Sequence, residues 1–359
     1  MAGSHAAGVL LGLKGQKHFA AFGALKGLQM AGLKLKGESM HYLYVTDCAE
    51  NGGIYRFLLK NGQPVFKEKT ELNLPMYTVL KNNTAYVLLR GAPGQNGSLT
   101  TAPIKPNGSL GVFSAPVSTK GQVPCHLCVS KGQVYVVNYL SGNVVQMPNT
   151  VVTHSGHGVH PTRQTAAHTH FVFPSPDEQY ILCVDLGLDT IFVYTRELQL
   201  VSTAAVPPGS GCRHFVFSQN GRWLYCVNEL SSNISVFFYQ NGTLTYQTTY
   251  NAFRQSVLNS TAAAIRLNGN YLYISHRGQD CISRFAVENE KLHFLENTPC
   301  GGHAPRDFNI LGDYLYCANE SGSLGILDLT GTSPSLCDSI PLGQDLLGIN
   351  FYEGESNER

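Results

Sequence analysis

The chain has 359 residues, of which 43% are hydrophobic and only 14% are charged. Its 25 Lys and Arg residues nearly balance its 24 Asp and Glu residues, so the overall charge favours neither nucleic acid nor an anionic membrane as a partner. A chain of this length could form two domains, but a closed repeat fold of the same length counts as one. The 37 glycines indicate many turns and few solvent-facing helices.

Residues 1–39 do not share the repeat that follows. They contain five lysines and no acidic residue before Glu38. An amphipathic targeting or surface-associating segment would have such a composition. We favour a simpler interpretation, an artificial leader or an upstream start with the natural protein beginning at Met40, because arginine is absent where a transit peptide would be rich in it. We therefore divide the chain into an N-terminal extension, 1–39, and one repeat domain, 40–359.

One strand pattern, rich in tyrosine, recurs seven times along the repeat domain. The distance between neighbouring copies is 42 to 49 residues, and the centres are Tyr44, Tyr86, Tyr135, Leu182, Tyr225, Tyr273 and Tyr316. Short apolar runs joined by Asn-Gly or Pro-Asp turns surround each copy, as expected of strands in hairpins. Four strands and their turns need about this length in a propeller blade. The sequence therefore predicts an all-β, seven-bladed β-propeller.

The two ends of the domain predict how the ring closes. In six units an inner strand precedes the tyrosine-rich strand, but the Tyr44 unit lacks one. An unpartnered apolar strand, Leu346 to Phe351, stands near the end of the chain. We expect it to complete the first blade, which removes the open edges that would invite aggregation.

Charged residues recur where strands begin and end. Inner strands surround the channel of a propeller, so residues that enter them, or that leave the tyrosine-rich strands, meet at one mouth. Because unpaired buried charge is costly, such groups should pair with one another or meet a ligand. The candidate residues at these positions, and in the polar loop 153–165, are His126, Arg163, His168, His170, Asp185, Arg213, Glu229, Arg277 and Arg306. Asp185 can equally cap a turn, as can Asn228, Asp307 and Asn319.

The ten cysteines do not predict a metal site or a disulfide framework. Most lie inside strand patterns, where they behave as small buried apolar residues. Cys125 and Cys128 have the spacing of half a zinc site, but alternation along a strand sends them to opposite faces, and no second pair follows. We expect no metal, no cofactor and a reducing, cytoplasmic location.

Several motifs together resemble a known family. In chain order these motifs are Pro124-Cys125-His126, Arg163-Gln164, His168-Thr169-His170, Asp185-Leu186-Gly187, Arg213-His214, Asn228-Glu229-Leu230, Arg277-Gly278-Gln279-Asp280 and Pro305-Arg306-Asp307-Phe308. This set, spread over about 40–353, resembles the seven-bladed propeller lactonases. That family includes bacterial 6-phosphogluconolactonases and is related to fungal carboxy-muconate cyclases.

The resemblance implies a metal-free active site of His, Arg and Glu at the channel mouth. Transferred by position, the catalytic candidates are His170 or His168, Arg213, Glu229 and Arg277, and the substrate-binding candidates are His126, Arg163, Arg306 and Asp185. Arg213 and Glu229 stand at opposite ends of one hairpin in the fifth blade. The sixth inner strand departs from the family pattern Ala-Glu-Ile-Arg, since it reads Ala263-Ala264-Ile265-Arg266.

Three functions fit these residues. The first is hydrolysis of a sugar lactone such as 6-phosphogluconolactone, with arginines stabilising the oxyanion and Glu229 or His170 handling the proton. The second is a carboxy-muconate-type cycloisomerase that uses the same groups on a dicarboxylate. The third is a propeller that binds a ligand without catalysis, which Ala264 in place of a carboxylate favours. For each we expect a small-molecule ligand, no nucleic acid or membrane, and a monomer or weak homo-oligomer.

Overall fold

The computed structural model describes residues 39–253 and 259–355, and the extension predicted for 1–39 lies outside them except for Ser39. The described residues contain strands and turns but no helix, and hence none that could span a membrane. Seven four-stranded antiparallel sheets account for all the strands. The predicted all-β, seven-bladed propeller is confirmed.

The strands follow the chain blade by blade. Blade 1 begins with β1 (Ser39–Asp47), β2 (Gly53–Lys60) and β3 (Gln63–Glu71). Blade 2 holds β4 (Pro75–Lys81), β5 (Thr84–Leu89), β6 (Ser98–Pro103) and β7 (Val117–Ser118). Blade 3 holds β8 (Pro124–Ser130), β9 (Gln133–Asn138), β10 (Asn143–Gln146) and β11 (Thr150–Thr153). Blade 4 holds β12 (Thr169–Pro174), β13 (Tyr180–Asp185), β14 (Thr190–Thr195) and β15 (Leu200–Ala205).

The remaining blades repeat this plan. Blade 5 holds β16 (Cys212–Phe217), β17 (Trp223–Asn228), β18 (Asn233–Gln240) and β19 (Thr243–Asn251). Blade 6 holds β20 (Thr261–Asn268), β21 (Tyr271–Arg277), β22 (Cys281–Glu288) and β23 (Lys291–Pro299). Blade 7 holds β24 (Pro305–Leu311), β25 (Tyr314–Asn319), β26 (Ser323–Asp328) and β27 (Ser335–Pro341). The last strand, β28 (Leu346–Glu355), returns to blade 1.

The ring closes as the sequence predicts. Strand β28 pairs with β1 in an antiparallel register from Ser39 opposite Glu355 to Asp47 opposite Leu346, and it is the inner strand of blade 1. Ile349 of β28 is 2% exposed and packs in a cluster that also contains Tyr316 of blade 7. The C-terminal strand therefore joins the two ends of the repeat and covers the edge of β1.

The hydrophobic core is distributed between the blades. The described residues form seven apolar clusters, and each combines side chains from two or three neighbouring blades. Nine of the ten cysteines are buried or half-buried, and all ten are free. Each blade thus buries one face against the next.

The hairpin turns follow the local sequence. Asn61 and Gly62 between β2 and β3 have φ values of 50° and 76°, and Asn241 and Gly242 between β18 and β19 have values of 46° and 77°. Two consecutive left-handed residues define the turn that suits the right-handed twist of a β-ribbon, and Asn-Gly is its preferred sequence. The Asn-Gly pairs therefore fix the hairpins, as predicted.

Candidate active site

A β-bulge in each inner strand aims one side chain at the mouth of the channel. In blade 5, Cys212 pairs with Asn228 and His214 pairs with Val227, which leaves Arg213 without an opposite residue. The same register shift recurs in the other blades. The single bulged residues are Met76, Cys125, His170, Arg213, Arg306 and Leu347, and in blade 6 the bulge contains Ala263 and Ala264. Bulges of this kind commonly re-aim side chains beside active sites.

A second set of side chains lies at the ends of the tyrosine-rich strands. The fourth residues after the strand centres are Cys48, Arg90, Tyr139, Leu186, Glu229, Arg277 and Glu320. Arg90, Tyr139, Glu229 and Arg277 line a pocket of about 370 Å³ at the mouth. The bulged residues Met76, Cys125, His170 and Arg306 line it as well, together with Val123, Arg163 and Thr261. Six blades therefore contribute to one pocket.

Glu229 is the central anion of this pocket. It is 2% exposed, and its Oε2 accepts a hydrogen bond from Nε of Arg213 at 2.8 Å. Its Oε1 accepts a hydrogen bond from Nη2 of Arg163 at 2.5 Å, and Nη2 of Arg277 lies 3.0 Å from Oε2. Arg213 and Glu229, at opposite ends of one hairpin in the sequence, are neighbours because antiparallel pairing brings those ends together.

The arginines determine the charge state of Glu229. Burial alone would raise its pKa, but the charges of Arg277, Arg213 and Arg163 together hold the pKa well below its usual range. Burial lowers the pKa of Arg213 to about 9, which still leaves the guanidinium protonated at neutral pH. The site at rest is therefore one ionised carboxylate clamped by three charged guanidiniums.

Arg213 is held by protein partners through two of its three guanidinium nitrogens. Besides Glu229, its Nη1 donates to the carbonyl oxygen of Ala263 at 2.7 Å and to Nε2 of His214 at 3.2 Å. Arg277 is less committed, since its Nε has no hydrogen-bond partner among the described residues and its Nη2 meets Glu229 as an ion pair without hydrogen-bond geometry. Arg277 therefore keeps a donor, its Nε–H, for which the described residues supply no acceptor.

His170 and His168 differ although they are two residues apart. His170 lines the pocket, is 4% exposed, and its Nδ1 has no hydrogen-bond partner in the described part of the chain. Burial and the charge of Arg213 hold its pKa well below 6.5, so the imidazole is neutral. His168 stacks on the Tyr139 ring at 4.5 Å and donates from Nδ1 to the Tyr139 carbonyl oxygen at 3.0 Å. The structure thus brings His170, and not His168, to the pocket.

The other cations expected from the sequence are also at the mouth. Arg163, from the loop between β11 and β12, bonds Glu229 and lies 3.5 Å from the Tyr139 hydroxyl. Arg306 donates from Nη1 to Glu320 at 3.1 Å, and Nη1 of Arg277 lies 3.6 Å from the same oxygen. Both arginines line the pocket.

Two of the proposed substrate-binding residues lie elsewhere. His126 is 3% exposed, packs between Tyr77 and Phe171 at 4.5 and 4.1 Å, and does not line the pocket. Asp185 is fully buried, and its Oδ1 accepts backbone hydrogen bonds from His168, Gly187 and Leu188. Its Oδ2 lies 2.7 Å from His154. The structure gives Asp185 the turn-capping contacts that the sequence left open as an alternative.

Ala264 is not part of the pocket. It is fully buried in the apolar cluster between blades 6 and 7, and its backbone N donates to Ser275 at 3.0 Å. The family pattern has a glutamate at this position, and in this chain the apolar Ala264 lies there, in the core and not at the pocket. The replacement leaves the clamp around Glu229 intact.

Sequence reasoning missed Arg90 and Tyr139. Both occupy the strand-end position that yields Glu229 and Arg277, so the seven-fold alignment contained the signal. Cys125, which the sequence analysis considered only as part of a half zinc site, also lines the pocket. Burial raises the pKa of its thiol to about 12, so the thiol is not ionised at neutral pH and is a poor nucleophile.

Metal-ligand geometry is missing from the part of the chain that the structure describes. No group of three or more His, Cys, Asp or Glu side chains there is placed to hold an ion. The donors at the mouth are guanidiniums, which repel cations and bind anions. The chemistry of the pocket is therefore that of an anion-binding site.

Fold and site together define a class, the seven-bladed propellers whose channel mouth carries a His, Arg and Glu cluster. Residues 42–332 match the family described as "Lactonase, 7-bladed beta-propeller". The chain belongs to this family.

Its relatives include uncharacterized and named proteins. A Staphylococcus aureus protein is 30% identical over 301 residues, covering 76% of this chain and 87% of its own length. A putative 6-phosphogluconolactonase from Bacteroides uniformis superimposes with a TM-score of 0.79 at 26% identity, over 88% of this chain and 100% of that one. The Pseudomonas aeruginosa periplasmic gluconolactonase gives 0.77 at 27% identity, over 87% and 99%.

Proposed function

We propose that this protein is a lactonase that hydrolyses a sugar lactone, with 6-phosphogluconolactone as the preferred type of substrate. The observation that carries the proposal is the clamp of Arg163, Arg213 and Arg277 around the ionised Glu229, beside the neutral His170. The family match and the gluconolactonase among the relatives agree with it.

Opening a lactone requires an oxyanion to be stabilised. When water attacks the ring carbonyl, negative charge develops on the carbonyl oxygen, and fixed donors that meet it lower the barrier. Arg277 suits this role because its Nε has no hydrogen-bond partner in the described residues and its Nη2 is held only by the ion pair with Glu229. Arg213 is held through Nε by Glu229 and through Nη1 by Ala263, so it supports the site by fixing Glu229. Removal of one such donor typically costs about 2.7–4 kcal/mol of transition-state stabilisation.

Proton transfer assigns different roles to His170 and Glu229. Both carboxylate oxygens of Glu229 are engaged by guanidiniums, so Glu229 serves to hold the arginines. The neutral His170 can accept the proton of the attacking water. The water oxygen then bonds to the carbonyl carbon, the bond from that carbon to the ring oxygen breaks, and the imidazolium returns the proton to the ring oxygen. The product acid ionises and releases one proton to solvent.

The proposal includes metal independence. His170 would activate water and the guanidiniums would stabilise the oxyanion, which are the two functions a metal ion supplies in other hydrolases. Activity should survive treatment with a strong chelator and should not increase on addition of divalent cations. Loss of activity on chelation, restored by a metal, would contradict this part of the proposal.

The direct test is lactone opening followed with a pH indicator, corrected for the spontaneous rate. We expect the wild type to open δ-gluconolactone or its 6-phosphate, and His170→Asn to lose at least about a hundred-fold in kcat/KM, within the usual contribution of a positioned base. The exposed His293→Asn is the matched control and should retain the wild-type rate. No acceleration of either lactone by the wild type would overturn the proposed function.

The same assay separates the alternative reaction. A cycloisomerase acting on a carboxy-muconate would change diene absorbance without releasing an acid from a neutral lactone. The arginine-rich mouth can hold a dicarboxylate, so this substrate is the appropriate second ligand to test.

A further inference from the structure

Among the described residues that line the pocket, Arg90 is the one cation without an ion pair to a carboxylate. Among the described residues, Arg163 and Arg277 pair with Glu229, and Arg306 pairs with Glu320. Arg90 has no carboxylate oxygen within 4 Å in this part of the chain. Its charge is therefore available to a ligand.

The side chain of Arg90 is nevertheless fixed. Its Nε donates to Sδ of Met76 at 3.1 Å, and Met76 is 4% exposed and itself lies 3.3 Å from Sγ of Cys48. Neither Nη atom of Arg90 has a hydrogen-bond partner among the described residues, and neither is among the buried atoms. The planar guanidinium of Arg90 is therefore anchored at its Nε edge, and its two Nη atoms are open to a ligand.

The local charge balance shows what the open edge is suited to bind. Five guanidiniums lie in or beside the pocket, those of Arg90, Arg163, Arg213, Arg277 and Arg306, against the carboxylates Glu229 and Glu320 and the half-buried Asp345, which the charges of Arg90 and Arg306 reach. A half-buried charge without a counter-ion is costly unless a ligand or water replaces one. An arginine fork matches two oxygens of a phosphate or carboxylate.

We infer that Arg90 selects substrates carrying a second anionic group, a phosphate ester or a carboxylate, remote from the lactone carbonyl. The inference deepens the proposed function and rests on it for the identity of the ligand as a sugar acid or its lactone. Arg90 belongs to blade 2, whereas Glu229 and Arg277 belong to blades 5 and 6, so the two ends of such a ligand would meet different blades.

The test compares three open-chain sugar acids that differ only at carbon 6. Gluconate has a hydroxyl there, glucarate a carboxylate, and 6-phosphogluconate a phosphate, and calorimetric titration measures the binding of each to the full chain. We expect the wild type to bind 6-phosphogluconate or glucarate more tightly than gluconate, and Arg90→Gln to reduce that ratio about 10- to 100-fold, as expected for hydrogen bonds to charged groups. Whichever of the two anionic ligands loses more identifies the source of the anion.

Two further variants complete the design. Arg90→Lys keeps the charge without the fork and should fall between the wild type and Arg90→Gln. Arg222→Gln removes the same charge from an exposed arginine against Phe238, outside the pocket, and should leave all three affinities unchanged. An equal loss for all three ligands in Arg90→Gln, no loss for any, or no binding of the anionic ligands to the wild type would overturn the inference.

Failure of the inference and failure of the proposed function are distinguishable. If no lactone is hydrolysed while 6-phosphogluconate still binds in an Arg90-dependent way, the proposed reaction falls and the anion subsite stands. If δ-gluconolactone is hydrolysed but Arg90→Gln does not raise KM for the phosphorylated lactone relative to the unphosphorylated one, the reaction stands and the role of Arg90 falls.

Discussion

Arg213 and Glu229 form a buried pair in which Nε and Oε2 are 2.8 Å apart and neither side chain is more than 3% exposed. The pair exists because a bulge turns Arg213 towards the channel at the start of β16 and Glu229 follows the end of β17. A buried pair of this kind is strongly stabilising relative to the state in which one partner is removed.

Glu229→Gln should therefore destabilise the fold as well as abolish activity. The substitution leaves Arg213 buried without its counter-charge, and we expect a loss of about 3–5 kcal/mol in the free energy of unfolding, measured by urea denaturation. The control is Glu68→Gln, which breaks the Arg56–Glu68 pair of similar length, 2.9 Å, but with Glu68 39% exposed. That variant should lose no more than about 1 kcal/mol. Equal losses for the two variants would show that burial does not set the strength of the clamp.

The mouth could be predicted as a place, but the role of each residue could not. The repeat spacing fixed the seven blades, and the alignment of strand ends put Glu229 and Arg277 together. Two facts were hidden. The bulge that lets His170 and not His168 face the pocket is a backbone feature without a sequence marker of its own. Arg90 stands at an informative position, but in a blade whose alternation is weak.

Two carboxylates near the ends of tyrosine-rich strands, one residue apart in the repeat, make different contacts. Asp185 occupies the third position after its strand centre and Glu229 the fourth. One step along an extended chain reverses the direction of the side chain, so Asp185 turns towards backbone N–H groups and Glu229 towards the channel. A sequence alignment that is accurate to one residue is needed to tell the two apart.

Asp185→Asn should accordingly affect stability and leave substrate affinity unchanged. Asn keeps an oxygen for the backbone donors but loses the charge that faces His154 at 2.7 Å. We expect the free energy of unfolding to fall by about 1–3 kcal/mol, the usual cost of weakening a buried polar contact. KM for the lactone should stay within about two-fold of the wild-type value, because Asp185 does not line the pocket. A two-fold change in KM corresponds to about 0.4 kcal/mol of binding free energy. A large rise in KM without loss of stability would instead assign Asp185 to substrate binding.

Because β28 closes the ring, a core substitution in this strand should strongly lower the free energy of unfolding. Ile349→Ala removes a side chain that is 2% exposed in the cluster between blades 1 and 7, and should cost about 2–5 kcal/mol. Glu353→Ala, on the same strand but exposed, should change stability by less than about 0.5 kcal/mol. Thermal or urea unfolding of both variants measures the difference. A small effect for Ile349→Ala would mean that the first and last strands contribute little to holding the propeller closed.

The pH dependence of the reaction should reveal the base. Burial and the charges of Arg213 and Arg306 lower the pKa of His170, so the imidazole stays neutral when the pH falls through 6.5. For the uncharged substrate δ-gluconolactone, kcat/KM reports the ionisation of the free enzyme, and its acid limb should therefore lie well below pH 6.5. Arg306→Gln removes one of the charges that depress this pKa, so it should move the limb upward, towards 6.5. A limb centred near 6.5 in the wild type, or one that Arg306→Gln leaves in place, would mean that the proton is taken by a group other than the buried His170.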